Sequence, residues 1–213
     1  MKPRFIKLFL ALFLPFASFL LLAHFLFYYN NKYENNPVYP MGGVMFCSDA
    51  DLSGDSVIFL AHQWNFFPGK QYTPSDFNEK SVTGGTFLTL GSFGNFSLGS
   101  TSEASNGTAT YRLTLSLPDT ARTYSLYLPE IFSAYTLYLN EEKVCSQGNP
   151  DPAHYQDLIG NKEISFTASG TVHITIIVTN YSHIYSGITY PPAFGTVTAI
   201  QKYLSTRLFI SGI

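Results

Sequence analysis

Charge is scarce in this chain. Only 12% of its 213 residues are Asp, Glu, Lys or Arg, about half the share usual in soluble proteins. Met1 to Tyr29 holds three of the 12 basic residues and no acid, which leaves 9 basic against 14 acidic residues beyond it, a net charge of −5. A mildly acidic domain with no Lys/Arg cluster has no face to neutralise phosphates, so nucleic acid is excluded as a partner. Cysteine is scarcer still: Cys47 and Cys145 stand alone, in no CxxC or Cys/His spacing, which removes the usual zinc sites. The pair is either one long-range disulfide, worth about 4–5 kcal/mol in the chain-entropy account, or two independent buried thiols. Val44-Met45-Phe46 lacks the small residues that a lipidation signal needs before Cys47.

Catalytic motifs are also missing. Ser97 sits in Gly94-Asn95-Phe96-Ser97-Leu98-Gly99, where Asn95 stands in place of the first glycine of G-x-S-x-G, and no strand–turn–helix context surrounds it. The glycine-rich run from Gly84 to Gly107 has no Lys-Ser/Thr after it and reads as loops, not a phosphate cradle. The histidines (His24, His62, His154, His173, His183) form no H-x-x-x-H pair. The expectation is a non-enzymatic chain with no catalytic residue, metal or cofactor.

What the chain does have begins with Leu8 to Tyr29, 22 residues without a formal charge. At 1.5 Å per residue a helix of that length spans a hydrocarbon core of about 30 Å. Lys2, Arg4 and Lys7 precede it and only Lys32 follows closely. The positive-inside bias therefore puts residues 1–7 in the cytoplasm, a single membrane span at 8–29, and the remainder outside. A cleavable signal peptide would have a shorter apolar run and a small-x-small site. Phe25-Leu26-Phe27-Tyr28-Tyr29 offers none, which favours an uncleaved signal anchor. Pro15 is expected to kink the helix.

Asn30 to Val44 reads as a polar, Asn- and Pro-containing linker. Residues 45–204 read as a β domain, with strand character at 57–61, 86–90, 108–117, 123–128, 134–139, 163–167, 172–179 and 194–201. Tyr111 to Leu117 alternates, with Tyr and Leu on one face and Arg, Thr and Ser on the other. His173 to Val178 loses that alternation, as a strand buried on both faces does. Single helical turns fit 75–79 and 151–159. Residues 205–213 read as a terminal strand or the opening of a further membrane segment. The fold expected is all-β, an antiparallel β-sandwich of jelly-roll type behind one transmembrane helix.

Candidate binding residues follow from position. Asn180 and His183 leave the most buried strand toward a loop rim, where sandwiches form pockets; capping of a turn by Asn180 is the alternative. Trp64 and Phe66 offer rings for a sugar face or for the core. Glu130, set among apolar residues, needs a partner, and Arg112 is the candidate for an internal ion pair or a shared site. Sequons occur at Asn95, Asn106 and Asn180.

The order Trp64-Asn65-Phe66, Thr110-Tyr111-Arg112, Pro129 to Tyr135, Leu139-Asn140, Gly148, and Asn180-Tyr181-Ser182-His183 with Gly187 resembles a known family. It is the extracytoplasmic, galactose-binding-like jelly roll of bacterial seven-transmembrane receptors with diverse intracellular signalling modules. The resemblance covers about Asp51 to Gln201. The sugar-binding jelly roll of β-galactosidase-like glycosidases shares the W-x-F, the TYR strand and the hairpin Asn. Glu141 replaces the usual hairpin glycine, Ser186 replaces the first of a glycine pair, and the seven helices and output domains are absent from this chain. The resemblance implies a membrane-anchored sensory domain for a small or carbohydrate-like ligand, with a carbohydrate-binding module beside a glycosidase, or an adhesion protein, as alternatives.

Overall fold

The computed structural model describes residues 3–31, 33–34, 36–79, 82–90, 96 and 105–211, those at 3–6, 8 and 208–211 as backbone only. The chain divides into two compact units, Met1–Asn35 and Asn36–Ile213.

The first unit is one helix, α1 (Pro3–Asn30), with Pro15 inside it. Leu and Phe dominate it, and rings four residues apart stack along it, Phe9 on Phe13 at 5.4 Å and Phe25 on Tyr29 at 6.4 Å. The Asn31 side chain closes the helix by donating to the Phe27 carbonyl at 2.8 Å. Its apolar side chains are exposed from Phe9 to Asn30, and the stretch is long and apolar enough to cross a membrane or to serve as a signal sequence.

The second unit is a β-sandwich. Its elements are β1 (Val44–Phe46), β2 (Val57–Phe59), β3 (Trp64–Pro68), α2 (Pro74–Glu79), β4 (Thr86–Leu88), β5 (Gly107–Ser116), β6 (Arg122–Leu128), β7 (Ala134–Leu139), β8 (Glu142–Gln147), β9 (Lys162–Ala168), β10 (Thr171–Asn180), β11 (Ala193–Thr196) and α3 (Val197–Ser211). The larger sheet runs β4-β3-β5-β10-β7-β8, with β1 also on β5; the smaller runs β2-β11-β6-β9. All described pairings are antiparallel except β1 with β5. The expected antiparallel sandwich is present.

The core lies between the sheets, where Trp64, Phe66, Leu113, Leu115, Tyr124, Leu126, Ile174 and Phe194 are fully or nearly fully buried. The expected alternation of β5 holds: Tyr111, Leu113 and Leu115 face the core while Arg112 and Thr114 face out, half-buried. In β10, between β5 and β7, even the outward Thr175 and Thr179 are buried, which explains the lost alternation.

Several expectations fail in detail. β1, β3 and β8 carry no strand signal strong enough to read, being short, aromatic or polar. The strand expected over 194–201 ends at Thr196, and α3 runs on to Ser211, so 205–211 is helical rather than a terminal strand. The Thr196 hydroxyl caps that helix by accepting from the Ala199 amide at 3.2 Å. Ile200, Tyr203 and Leu204 then pack on Tyr127, Val57 and Phe59 outside the smaller sheet. That apolar stripe is too short to read as a helical period. Residues 151–159 form turns, not the expected helical turn, whereas the helical turn expected at 75–79 is present as α2. In α2, Thr73 precedes Pro74 and its amide and hydroxyl both donate to Asp76 Oδ2 at 2.8 Å.

Cys47 and Cys145 are both free. Cys47 follows β1 and Cys145 lies in β8, four strand spacings of about 4.8 Å apart across the larger sheet. A disulfide needs Cα atoms about 5.5 Å apart, so the pairing is excluded in this fold. Burial first, and Asp51 second, push the Cys47 thiol up to about 12, leaving it unreactive at neutral pH.

Candidate ligand-binding site

The β10–β7 register aligns Thr179 with Ala134, which brings the chain after Asn180 beside the corner before β7. This is the rim expected to hold a ligand. Asn180 is fully buried. Its Nδ2 donates to the carbonyls of Ser105 at 2.7 Å and His183 at 2.6 Å, while Oδ1 accepts from the His183 amide at 3.2 Å. Every strong valence of the amide is spent on the fold, so Asn180 is the turn cap and neither contacts ligand nor offers a glycan acceptor. Its neighbours differ. The half-buried His183 ring stacks on Phe132, with centroids 4.9 Å apart and planes 13° apart. Tyr185 and Tyr190 flank Phe132 at 6.2 and 6.5 Å and keep 40% and 39% exposure. Beside them Tyr181 meets Tyr155 edge-on at 5.4 Å, and Ser182 donates to Asp157 at 2.8 Å. The result is an aromatic platform edged by polar groups. Phe132, Tyr185 and Tyr190 were not singled out by sequence reasoning; their loops become neighbours only through strand pairing.

The remaining expected residues scatter. Trp64 is buried in the core, where its indole donates to the Leu60 carbonyl at 2.7 Å, so it has no free face for a sugar; Phe66 is buried against Tyr111. Tyr111 in turn reaches the Ile188 backbone. Gly187, at φ +77°, has no room for a Cβ against the Tyr111 hydroxyl, so these residues are scaffold. Glu130 and Arg112 do not meet. Glu130 lies near Tyr127, outside the smaller sheet, while Arg112 points out of the larger one. The ion pairs among the described residues are Arg122–Asp49 and Lys202–Asp55, and His154 hydrogen-bonds Asp151 at 3.0 Å.

Arg112 instead lines a cleft of about 350 Å³ with Pro74, Asn78, Asn140, Glu141 and His173. The guanidinium sits 4.1 Å over the Phe77 ring of α2. Its Nη1 is buried and has no hydrogen-bond partner among the described residues, and the same holds for the Thr175 hydroxyl opposite it in the register. Asn78 donates to Glu141 Oε1 at 2.7 Å, bridging α2 to the β7–β8 turn. Asn140, at φ +53°, accepts the His173 amide at 2.8 Å. The His173 ring shares a 3.0 Å hydrogen bond with Thr114. Desolvation, and secondly the Arg112 charge, hold its pKa below the usual imidazole value, so it is neutral at pH 7. Burial also lowers Arg112. Of this group only Arg112 was expected from sequence. Strand alternation places Arg112 and His173 on one face, but no sequence signal docks α2 over them.

Ser97, with Gly94, Asn95 and Gly99, lies outside the described residues. Asn106 is exposed.

No family model and no curated protein sequence matches the chain. Among solved structures, a β-glucuronidase from Faecalibacterium prausnitzii is similar with a TM-score of 0.50 at 14% identity, over 65% of this chain and 31% of that enzyme. A β-glucuronidase from an uncultured Clostridium sp. gives 0.47 at 17% identity, over 65% and 28% of the two chains. A GH2 β-galacturonidase from Eisenbergiella tayi, bound to galacturonate, gives 0.46 at 12% identity, over 66% and 24%. The chain spans less than a third of the length of each of these enzymes. At such identities the likeness is one of fold, a β-sandwich also found within glycoside-cleaving enzymes.

Proposed function

We propose that this chain is a non-catalytic, membrane-tethered domain that binds carbohydrate on the extracytoplasmic side of a bacterial cell. The observation that carries the reading is the rim platform of Phe132, His183, Tyr185 and Tyr190. Partly exposed rings edged by Ser182 and Asp157 suit the apolar C–H face and the hydroxyls of a sugar. The fold shared with a β-glucuronidase points the same way. The excess of Lys2, Arg4 and Lys7 before the apolar helix supports the outward orientation.

A second reading, the input domain of a signalling receptor, is favoured by α3. This helix leaves the smaller sheet and carries Arg207 followed by Leu208-Phe209-Ile210, a helical route by which ligand occupancy at the rim would bias a membrane segment.

The test is a glycan panel against the full chain in nanodiscs, read by thermal shift. At least one glycan should raise the melting temperature. Tyr185→Ala combined with Tyr190→Ala should remove the increment while moving the unliganded melting temperature by no more than about 2 °C. If no glycan acts on the wild type, or the double variant responds fully, the carbohydrate reading fails.

A further inference from the structure

The Arg112 cleft lies at the opposite end of β10 from the rim. His173 and Asn180 bound the two regions, seven residues or about 23 Å apart along the strand, so the two need separate explanations. We propose that the cleft between α2 and the β7–β8 turn is a second binding site, for a small carboxylate that also carries a hydroxyl or ammonium donor.

The Arg112 guanidinium is fixed in place by the Phe77 ring beneath it. Arg112 is half-buried and lines the cleft, while its buried Nη1 has no hydrogen-bond partner among the described residues; a cation so incompletely paired at the wall of a cleft favours an acceptor brought from outside. Arg–carboxylate geometry supplies it: the planar fork offers parallel N–H groups to two carboxylate oxygens. The acid in the cleft lining, Glu141, accepts from Asn78 through Oε1 alone and forms no ion pair with Arg112 among the described residues.

Glu141 also sets the second requirement. A bare anion entering the cleft would meet its negative charge, whereas a ligand with a donor beside its carboxylate satisfies Arg112 and Glu141 together. Asn78 and Asn140 add amide groups, and neutral His173 adds a ring without a second positive charge. The cleft, at about 350 Å³, falls in the lower part of the range for small-ligand sites, roughly 300–1,000 Å³. It would hold a single sugar acid, hydroxy acid or amino acid.

The experiment is calorimetric titration of the full chain in nanodiscs with D-glucuronate, L-lactate and L-alanine. Acetate, which lacks the donor, and D-glucose, which lacks the carboxylate, serve as controls. One or more of the three should bind at least about tenfold more tightly than either control, and Arg112→Gln should weaken it by at least about tenfold. The unliganded melting temperature and any glycan response at the rim should stay unchanged. Glu141→Gln distinguishes the donor: loss of about tenfold for alanine assigns an ammonium, and a loss confined to lactate or glucuronate assigns a hydroxyl. Should Arg112→Gln not fold, NMR of the wild type replaces it, with the Arg112 and His173 side-chain signals shifting saturably on titration. No binding by any of the three, equal binding of glucose or acetate, full affinity in Arg112→Gln, or unmoved Arg112 and His173 signals would each overturn the proposal. Loss of glycan binding at the rim variants leaves this site intact, so the two readings fail separately.

Discussion

Asn180 and Arg112 illustrate how far a single residue can be read before its neighbours are known. Asn180 was a candidate because it leaves a core strand toward the rim, and Arg112 because Glu130 needed a partner. Asn180 spends its amide on Ser105 and His183, and its role is structural. Arg112 keeps one buried nitrogen without a hydrogen-bond partner among the described residues. Chemistry alone does not separate them; the hydrogen-bond count does. His173 gives a prediction at this scale. Desolvation first and the Arg112 charge second lower its folded pKa, so as pH falls the unfolded chain takes up the proton first. The stability linked to His173 is therefore complete above the unfolded value of about 6.5 and is lost as pH falls through it, levelling off below the folded pKa. Scanning calorimetry of His173→Gln should show a smaller fall in melting temperature between about pH 7.5 and 5 than the wild type. An unchanged slope would assign the acid sensitivity to other groups.

At the scale of elements, β5, β6, β7, β9 and β10 were legible because each combines β-branched and aromatic residues with flanking turn residues, and the inward face of β5 could be named residue by residue. α3 was not legible. Its apolar stripe of Ala199, Ile200, Tyr203 and Leu204 covers barely two turns, and its first residues, Val197 and Thr198, favour strands by propensity. What makes it a helix is the Thr196 cap and a docking surface of Tyr127, Val57 and Phe59 that exists only once the smaller sheet has formed. Thr196→Ala should therefore cost about 1 kcal/mol in denaturant unfolding. Thr198→Ala, which removes only a neighbouring hydroxyl contact, should cost less; equal losses would show that the cap does not hold the helix. The hairpin shows the same dependence in reverse. Glu141 replaces the expected glycine, yet Asn140 adopts the positive φ itself and secures it by bonding His173 through both backbone and side chain.

For the molecule as a whole, the orientation across the membrane is the property open to direct test. Protease added to intact spheroplasts should digest an epitope within the sandwich and spare a tag before Lys2; loss of the tag with survival of the sandwich would reverse the topology. The class of the molecule was readable from its residues alone, an uncharged apolar stretch of membrane length and then a β-sandwich, because length, charge and alternation are local properties that survive without tertiary contacts. Which polar residues remain free depended on long-range contacts. Trp64 went to the core, Asn180 to a cap, Glu130 to the loop after β6 and Arg112 to β5, and Cys47 and Cys145 to positions too far apart to bond. The rim rings and the cleft under α2 arose from strands and loops distant in sequence. A site depends on which hydrogen-bond valences and ring faces folding leaves unused, and that balance is set by long-range pairing.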